Sequence, residues 1–242
     1  SNIGNGTTTG ASVIGMCITT TTPNHTLSQN TIHSLSNTHA TQASVVTGIQ
    51  FTGSTANSVS KNYIHSLSVA TNNASAEVNG IRVAGGTTTY ANNMVAIGAG
   101  INNAVQVNGI NEPLGTDNFY HNSVYVGGSP TAGTANSFAF NSTQTVNTRN
   151  FRNNIFMNAR SNAGATGKNY AVQVGGSVPN PSGLTINYNL YSVTGAGAVF
   201  GRFNALDVAD ISAWKIAVGQ DANSISANPQ YNDPTNATPD LH

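Results

Sequence analysis

The chain has 242 residues, of which only 7% are Asp, Glu, Lys or Arg, and its formal net charge is zero. No charged side chain precedes Lys61, so the basic footprint that nucleic acid requires is missing, and no apolar stretch reaches the length of a membrane span. Disorder normally comes with abundant charge, so this composition indicates a folded chain that is polar through amides and hydroxyls.

The 35 Asn and 25 Gly suit a fold made of many tight turns, because both residues tolerate positive φ. Cys17 is the single cysteine and stands within the apolar run Val13 to Ile18. It has no internal disulfide partner and is expected as a small buried residue.

In chain order, one pattern recurs. Asn30-Thr-Ile-His-Ser-Leu35 is followed by Gly48-Ile-Gln-Phe51, and Asn62-Tyr-Ile-His-Ser-Leu67 by Gly80-Ile-Arg-Val83. Asparagines that open the first strand of each repeat are read at Asn30, Asn62, Asn92, Asn122, Asn153 and Asn187, spaced by 32, 30, 30, 31 and 34 residues. Second strands follow at Gly109-Ile110, Ser137 to Phe140, Ala171 to Val174 and Ala198 to Phe200. Gly15 to Ile18 fits the second-strand slot, so the chain reads as opening in mid-coil, as a segment of a longer solenoid would.

A fixed interval of about thirty residues with period-two strands predicts a parallel β-helix of six to seven coils, each with three short strands and three turns. Stacked asparagines at one turn position are expected to bond amide to amide along the rod as a structural ladder. Residues 1–205 are assigned to the coils and 206–242 to a C-terminal helix with a final strand and tail. In that tail region Ile211, Trp214, Ala217 and Val218 have helical spacing, Asp207 or Asp210 is the N-cap, and Gly219 is the stop. A return strand is expected within 223–231.

Four segments carry a family resemblance: Asn122-Ser-Val-Tyr-Val-Gly-Gly128, Arg152-Asn-Asn-Ile-Phe-Met-Asn158, Gly167-Lys-Asn-Tyr-Ala171 and Gln220 to Pro229. Together they resemble the parallel β-helix repeat segments of very large secreted proteins of Bacteroidota-type bacteria. The resemblance spans residues 30–232 and is most specific from Asn118 onward. It implies a right-handed β-helix of the pectate-lyase type and an extracellular or cell-surface location. No single activity comes with it.

The few charges bound what chemistry the chain can carry. Polysaccharide lyases and hydrolases use paired carboxylates or a base beside them, and before Asp207 the only acids are Glu77, Glu112 and Asp117. Aligning Gly80 with Gly109 sets Glu77 near Glu112 with Arg82 beside them, the one catalytic constellation on offer. Solvated loop charge is the competing account.

His33, His65, Tyr125, Phe156 and Tyr191 are read as one outward stripe of rings that could stack on sugars. No cofactor or metal site is expected, and a calcium loop at Asp221, Asn223 and Asp233 lacks any known spacing. The expected function is a non-enzymatic structural or adhesive module of a larger surface or filament-forming protein. A carbohydrate-active or carbohydrate-binding β-helix is the alternative. Expected partners are glycans and a second copy stacked end to end, or further coils of one longer chain.

Overall fold

The computed structural model describes residues 12–242. Apart from one helix the regular elements are strands, and they form a parallel β-solenoid of about seven turns. Each coil runs through three sheets. Sheet 1 stacks Ser12–Thr19, Val45–Thr52, Glu77–Gly85, Gln106–Leu114, Ser137–Ser142, Asn169–Val174 and Ala198–Phe203. Sheet 2 stacks Thr26–Ser28, Asn57–Ser60, Thr88–Ala91, Asn118–Tyr120, Arg149–Arg152 and Leu184–Asn187. Sheet 3 stacks Thr31–His33, Tyr63–His65, Met94–Ile97, Ser123–Val126, Ile155–Asn158, Leu190–Val193 and Ile225–Ser226. Complete coils are therefore coil 1 (26–52), coil 2 (57–85), coil 3 (88–114), coil 4 (118–142), coil 5 (149–174) and coil 6 (184–203). A short extra pair, Ser36–Asn37 on Ser68–Val69, continues coils 1 and 2.

Alternation decides which side chains fill the interior. In sheet 3 the inward column is Ile32, Ile64, Val95, Val124, Phe156 and Tyr191. Sheet 2 contributes Val59, Tyr90, Phe119, Phe151 and Ile186, and sheet 1 contributes Ile49, Ile81, Ile110, Phe140 and Val172. Like stacks on like, and rings do so directly: Tyr90 lies 4.7 Å from Phe119 with planes 8° apart. Where sheet 1 comes closest to sheet 3 a glycine is needed. A Cβ on Gly80 would sit 2.3 Å from Val95 Cγ1 and 2.5 Å from the Gly109 carbonyl oxygen.

Cys17 departs from expectation. It is exposed on the outer side of Ser12–Thr19, opposite Gln50, because its neighbours Met16 and Ile18 pack against the core.

The C-terminal end is closed on all three sheets. Leu206–Val208 turns back antiparallel on Ala198–Phe203. Gln220 and Asp221 bond to Leu184 and Ile186 at the edge of sheet 2, and Ile225–Ser226 extends sheet 3. The helix Ile211–Val218 starts at Asp210, whose carboxylate accepts from the Ala213 N–H at 2.9 Å, and ends at Gly219 with φ 72°. Trp214 is fully buried over Gly201, and its Nε1–H donates to Asp221 at 2.8 Å. At this end sheet 1 therefore finishes on an antiparallel strand and sheet 3 on the two-residue parallel strand Ile225–Ser226. From Ala227 the tail runs back over the outer face of sheet 3 and folds as a small hairpin closed by an Asp233–Asp240 bridge.

Candidate functional site

The best-defined constellation of polar side chains is an axial column at the turn between sheets 2 and 3. Its members are Asn30, Asn62, Asn93, Asn122, Asn154 and Asn189. At each interior step one Oδ1 accepts both the backbone N–H and an amide N–H of the preceding asparagine. For Asn93 on Asn122 the distances are 3.0 and 2.9 Å. The second amide hydrogen goes back to a sheet 2 carbonyl, as from Asn122 to Tyr90 at 3.0 Å and from Asn154 to Phe119 at 2.9 Å. Every hydrogen-bonding group of an interior amide is used. The column ends where the Asn189 N–H donates to Ser224 Oγ at 2.7 Å, and that hydroxyl donates to Asp221.

Asn30, Asn62 and Asn122 stand where the repeat places them, but Asn92, Asn153 and Asn187 do not belong to the column. Asn92 and Asn153 are the residues just before it, held at φ 55° and 57°. That position is left-handed in every coil, at Gln29, Lys61, Asn92, His121, Asn153 and Tyr188. Asparagine is among the few residues suited to it, hence the Asn-Asn pairs. Asn187 ends a sheet 2 strand, and its side-chain Oδ1 accepts from the backbone N–H groups of Tyr188 and Asn223 instead.

The one-residue offset has a direct consequence for the aromatic stripe, because a slip of one turns a side chain to the opposite face. His33, His65 and Tyr125 share the outward column with Ala96, Met157 and Ser192. Phe156 and Tyr191 fall in the inward column and are wholly buried. His33 stacks on His65 at 5.0 Å and 6°, and Tyr63 lies 4.6 Å from His65.

The returning tail covers much of what remains. Leu241 and Tyr231 pack on Ala96, Tyr125, Met94 and Met157, leaving Tyr125 and His65 each 5% exposed. Tyr63 donates to the Pro239 carbonyl and Ser66 to that of Ala237. Burial, with the neighbouring His33 second, holds the His65 imidazole below its ordinary range. A crevice of about 390 Å³ lies between the hairpin tip and the rod, lined in part by Ser66, Ser68, Gly98, Thr235 and Asn236.

The carboxylate pair does not assemble. Gly80 does align with Gly109, yet Glu77 sits opposite Gln106 at the start of its strand while Glu112 sits opposite Ser142 near the end of its own. The strand rise of ~3.3 Å per residue separates the two positions by roughly 20 Å. Glu77 accepts from Asn79 at 3.3 Å, and Arg82 donates to Gln50 at 3.5 Å on the outer face. Glu112 points into the rod and is wholly buried. Arg82 instead joins an outward polar column of sheet 1 made of Gln50, Arg82, Asn111, Asn141, Gln173 and Arg202.

Two arginines escaped sequence reasoning. Arg160 is 1% exposed and donates to the carbonyls of Ile101, Gly127 and Asn103 at 2.9, 3.1 and 3.0 Å, tying together the loops of coils 3 and 4. Burial pushes its guanidinium down to about 10, still charged at neutral pH. Arg149 does the same further on, donating to Asn147, Ser182 and Gly175. An arginine beside a Gly-rich loop in a chain with so few charges was the available signal.

Among the described residues no three His, Cys, Asp or Glu side chains come together as metal ligands, and no helix is long and apolar enough to cross a membrane. Asp221 is taken up by Tyr191, Trp214 and Ser224, whereas Asp233 bonds Asn236 within the hairpin, so they do not form a calcium loop with Asn223. No protein-family model, curated protein or solved structure matches this chain.

Proposed function

We propose that this chain is a non-enzymatic structural or adhesive segment of a larger protein that works outside the cell. The observation that carries the reading is the commitment of the buried asparagines to axial bonds, unbroken from Asn30 to Ser224. Side chains that hold one coil to the next resist separation along the axis, which is what a spacer or stalk must do. The resemblance of residues 30–232, most specific from Asn118 onward, to repeat segments of large secreted proteins supports the location, and near-absence of charge suits a surface that does not attract ions or nucleic acid.

A second reading is glycan binding, favoured by the outward column from Gln50 to Arg202. Gln50, Arg82, Gln173 and Arg202 are half-buried, so their amide and guanidinium groups border solvent on one side of the rod. Binding on a glycan array together with a lyase and hydrolase assay on acidic polysaccharides separates the readings. The structural reading expects no product and no change on Glu77→Gln. Turnover abolished by Glu77→Gln or Arg82→Ala overturns it, and retention of a glycan lost on Arg82→Ala establishes the second.

A further inference from the structure

The interior of coils 3 to 5 contains polar atoms that the fold does not explain. Two inward columns meet there. In sheet 2 it is Asn57, Thr88, Asp117, Arg149 and Leu184, with Asp117 in line because Asn118 pairs with Thr89 and Asn150. In sheet 1 the column is Phe51 and Val83, then Glu112, Ser142, Val174 and Phe203. Glu112 and Ser142 thus take two successive places in a column that is apolar before them, at Phe51 and Val83, and after them, at Val174 and Phe203.

All of these are buried, and Thr88 Oγ1, Tyr90 Oη, both Glu112 oxygens, Asp117 Oδ2, Ser142 Oγ and Arg149 Nε make no well-formed hydrogen bond, although Thr88 lies close to Tyr90 and Ser142 close to Glu112. Asp117 Oδ1 alone is served, by the Thr88 N–H at 2.9 Å. Seven such atoms on six neighbouring side chains are more than a native interior leaves unmet. So many unmet groups call for a further partner in the interior.

The donor set says what. Carboxylate oxygens need a donor, whereas Arg149 Nε–H needs an acceptor. A metal cation would satisfy the first and leave the second unmet. Water serves both.

We propose that Thr88, Tyr90, Glu112, Asp117, Ser142 and Arg149 enclose an internal hydrated chamber that retains protons in the folded rod, making coils 3 to 5 its pH-sensitive section. The titratable groups facing the chamber are Tyr90 and Arg149 from sheet 2, Glu112 from sheet 1 and Asp117 from the turn between them. Sheet 3 presents only Val95, Val124 and Phe156 here. Burial pushes the Glu112 carboxyl well above its usual range, with Asp117 adding to the rise and Ser142 and Arg149 opposing it. Burial likewise raises Asp117 to about 8, against the pull of the Thr88 N–H.

Both carboxyls therefore hold their protons more tightly folded than unfolded, and Asp117, at about 8, is mostly protonated in the folded rod at neutral pH. Folded values above unfolded ones mean that the stability contribution is complete below about pH 4 and is lost as pH rises toward the folded values.

Urea unfolding of the full chain between pH 4.5 and 8.5 tests this, using wild type and Glu112→Gln/Asp117→Asn. The wild-type folding constant should fall with rising pH by up to about tenfold per pH unit for each acid, and the slope should flatten in the double variant. Hydrogen exchange should show the loosening in coils 3 to 5. A wild-type profile without that slope, or the same slope in both proteins, overturns the proposal. Should the variant not fold, unfolding wild type at pH 7 in weak buffer should release protons, about one of them from Asp117, with Glu112 adding to it. Release of none overturns the proposal equally.

Discussion

The asparagine column makes its sharpest prediction at two neighbouring residues, Asn92 and Asn93. Asn93 is 1% exposed and makes five contacts in the column. Leucine there has similar bulk but no polar atoms. It would leave the Val59 carbonyl and both the backbone and amide N–H groups of Asn62 without partners, while Asn122 Oδ1 keeps the residue 93 backbone N–H. Three buried orphans at about 1–3 kcal/mol each, reduced by relaxation, give a loss of roughly 3–6 kcal/mol for Asn93→Leu. That is a large share of the ~5–15 kcal/mol typical of a whole domain.

Asn92 is exposed, and Asn92→Leu meets only the cost of a left-handed backbone, about 1–2 kcal/mol. Urea unfolding followed by far-UV circular dichroism measures both. Protection of the Asn62 amide in hydrogen exchange should collapse in Asn93→Leu alone. Equal destabilisation of the two variants, or a loss under about 1 kcal/mol at residue 93, would refute the column as the source of coil-to-coil stability.

Other expectations follow from the same geometry. Arg160→Met should lower stability by about 3–5 kcal/mol, because three loop carbonyls lose their donor, and Arg160→Lys should recover only part of it in the same unfolding assay. Tyr188→Asn should raise the melting temperature, since asparagine relieves about 1 kcal/mol of left-handed strain at φ 62°. Gly80→Ala should cost about 1–3 kcal/mol through overlap with Val95 and the Gly109 carbonyl, measurable as a shifted urea midpoint. Asp221→Ala strips the shared acceptor of Tyr191, Trp214 and Ser224, and a red-shifted Trp214 emission should report the loosened cap.

Spacing alone revealed the solenoid, because a coil of about thirty residues recurs with its Gly and Asn landmarks in place. The helix was equally legible, since Asp210, Trp214 and Gly219 are local signals that need no tertiary context. Side-chain direction was not. Where the chain writes Asn92-Asn93 and Asn153-Asn154, spacing cannot distinguish the left-handed turn residue from the column residue, and choosing the first moved Phe156 from core to surface.

The fate of Tyr125 was hidden for another reason. The tail that covers it arrives from more than a hundred residues away, and nothing local announces that contact. Glu112 reads as a loop acid because Pro113 follows it, whereas its strand continues to Leu114.

Pulling the chain along the rod axis between its two ends tests most directly whether it serves as a spacer. If axial bonds join coil to coil, extension should proceed in steps of about 10 nm, the contour length of one ~30-residue coil. Asn93→Leu should weaken the step that separates coils 2 and 3. Smooth extension without steps, unchanged by that substitution, would contradict the account.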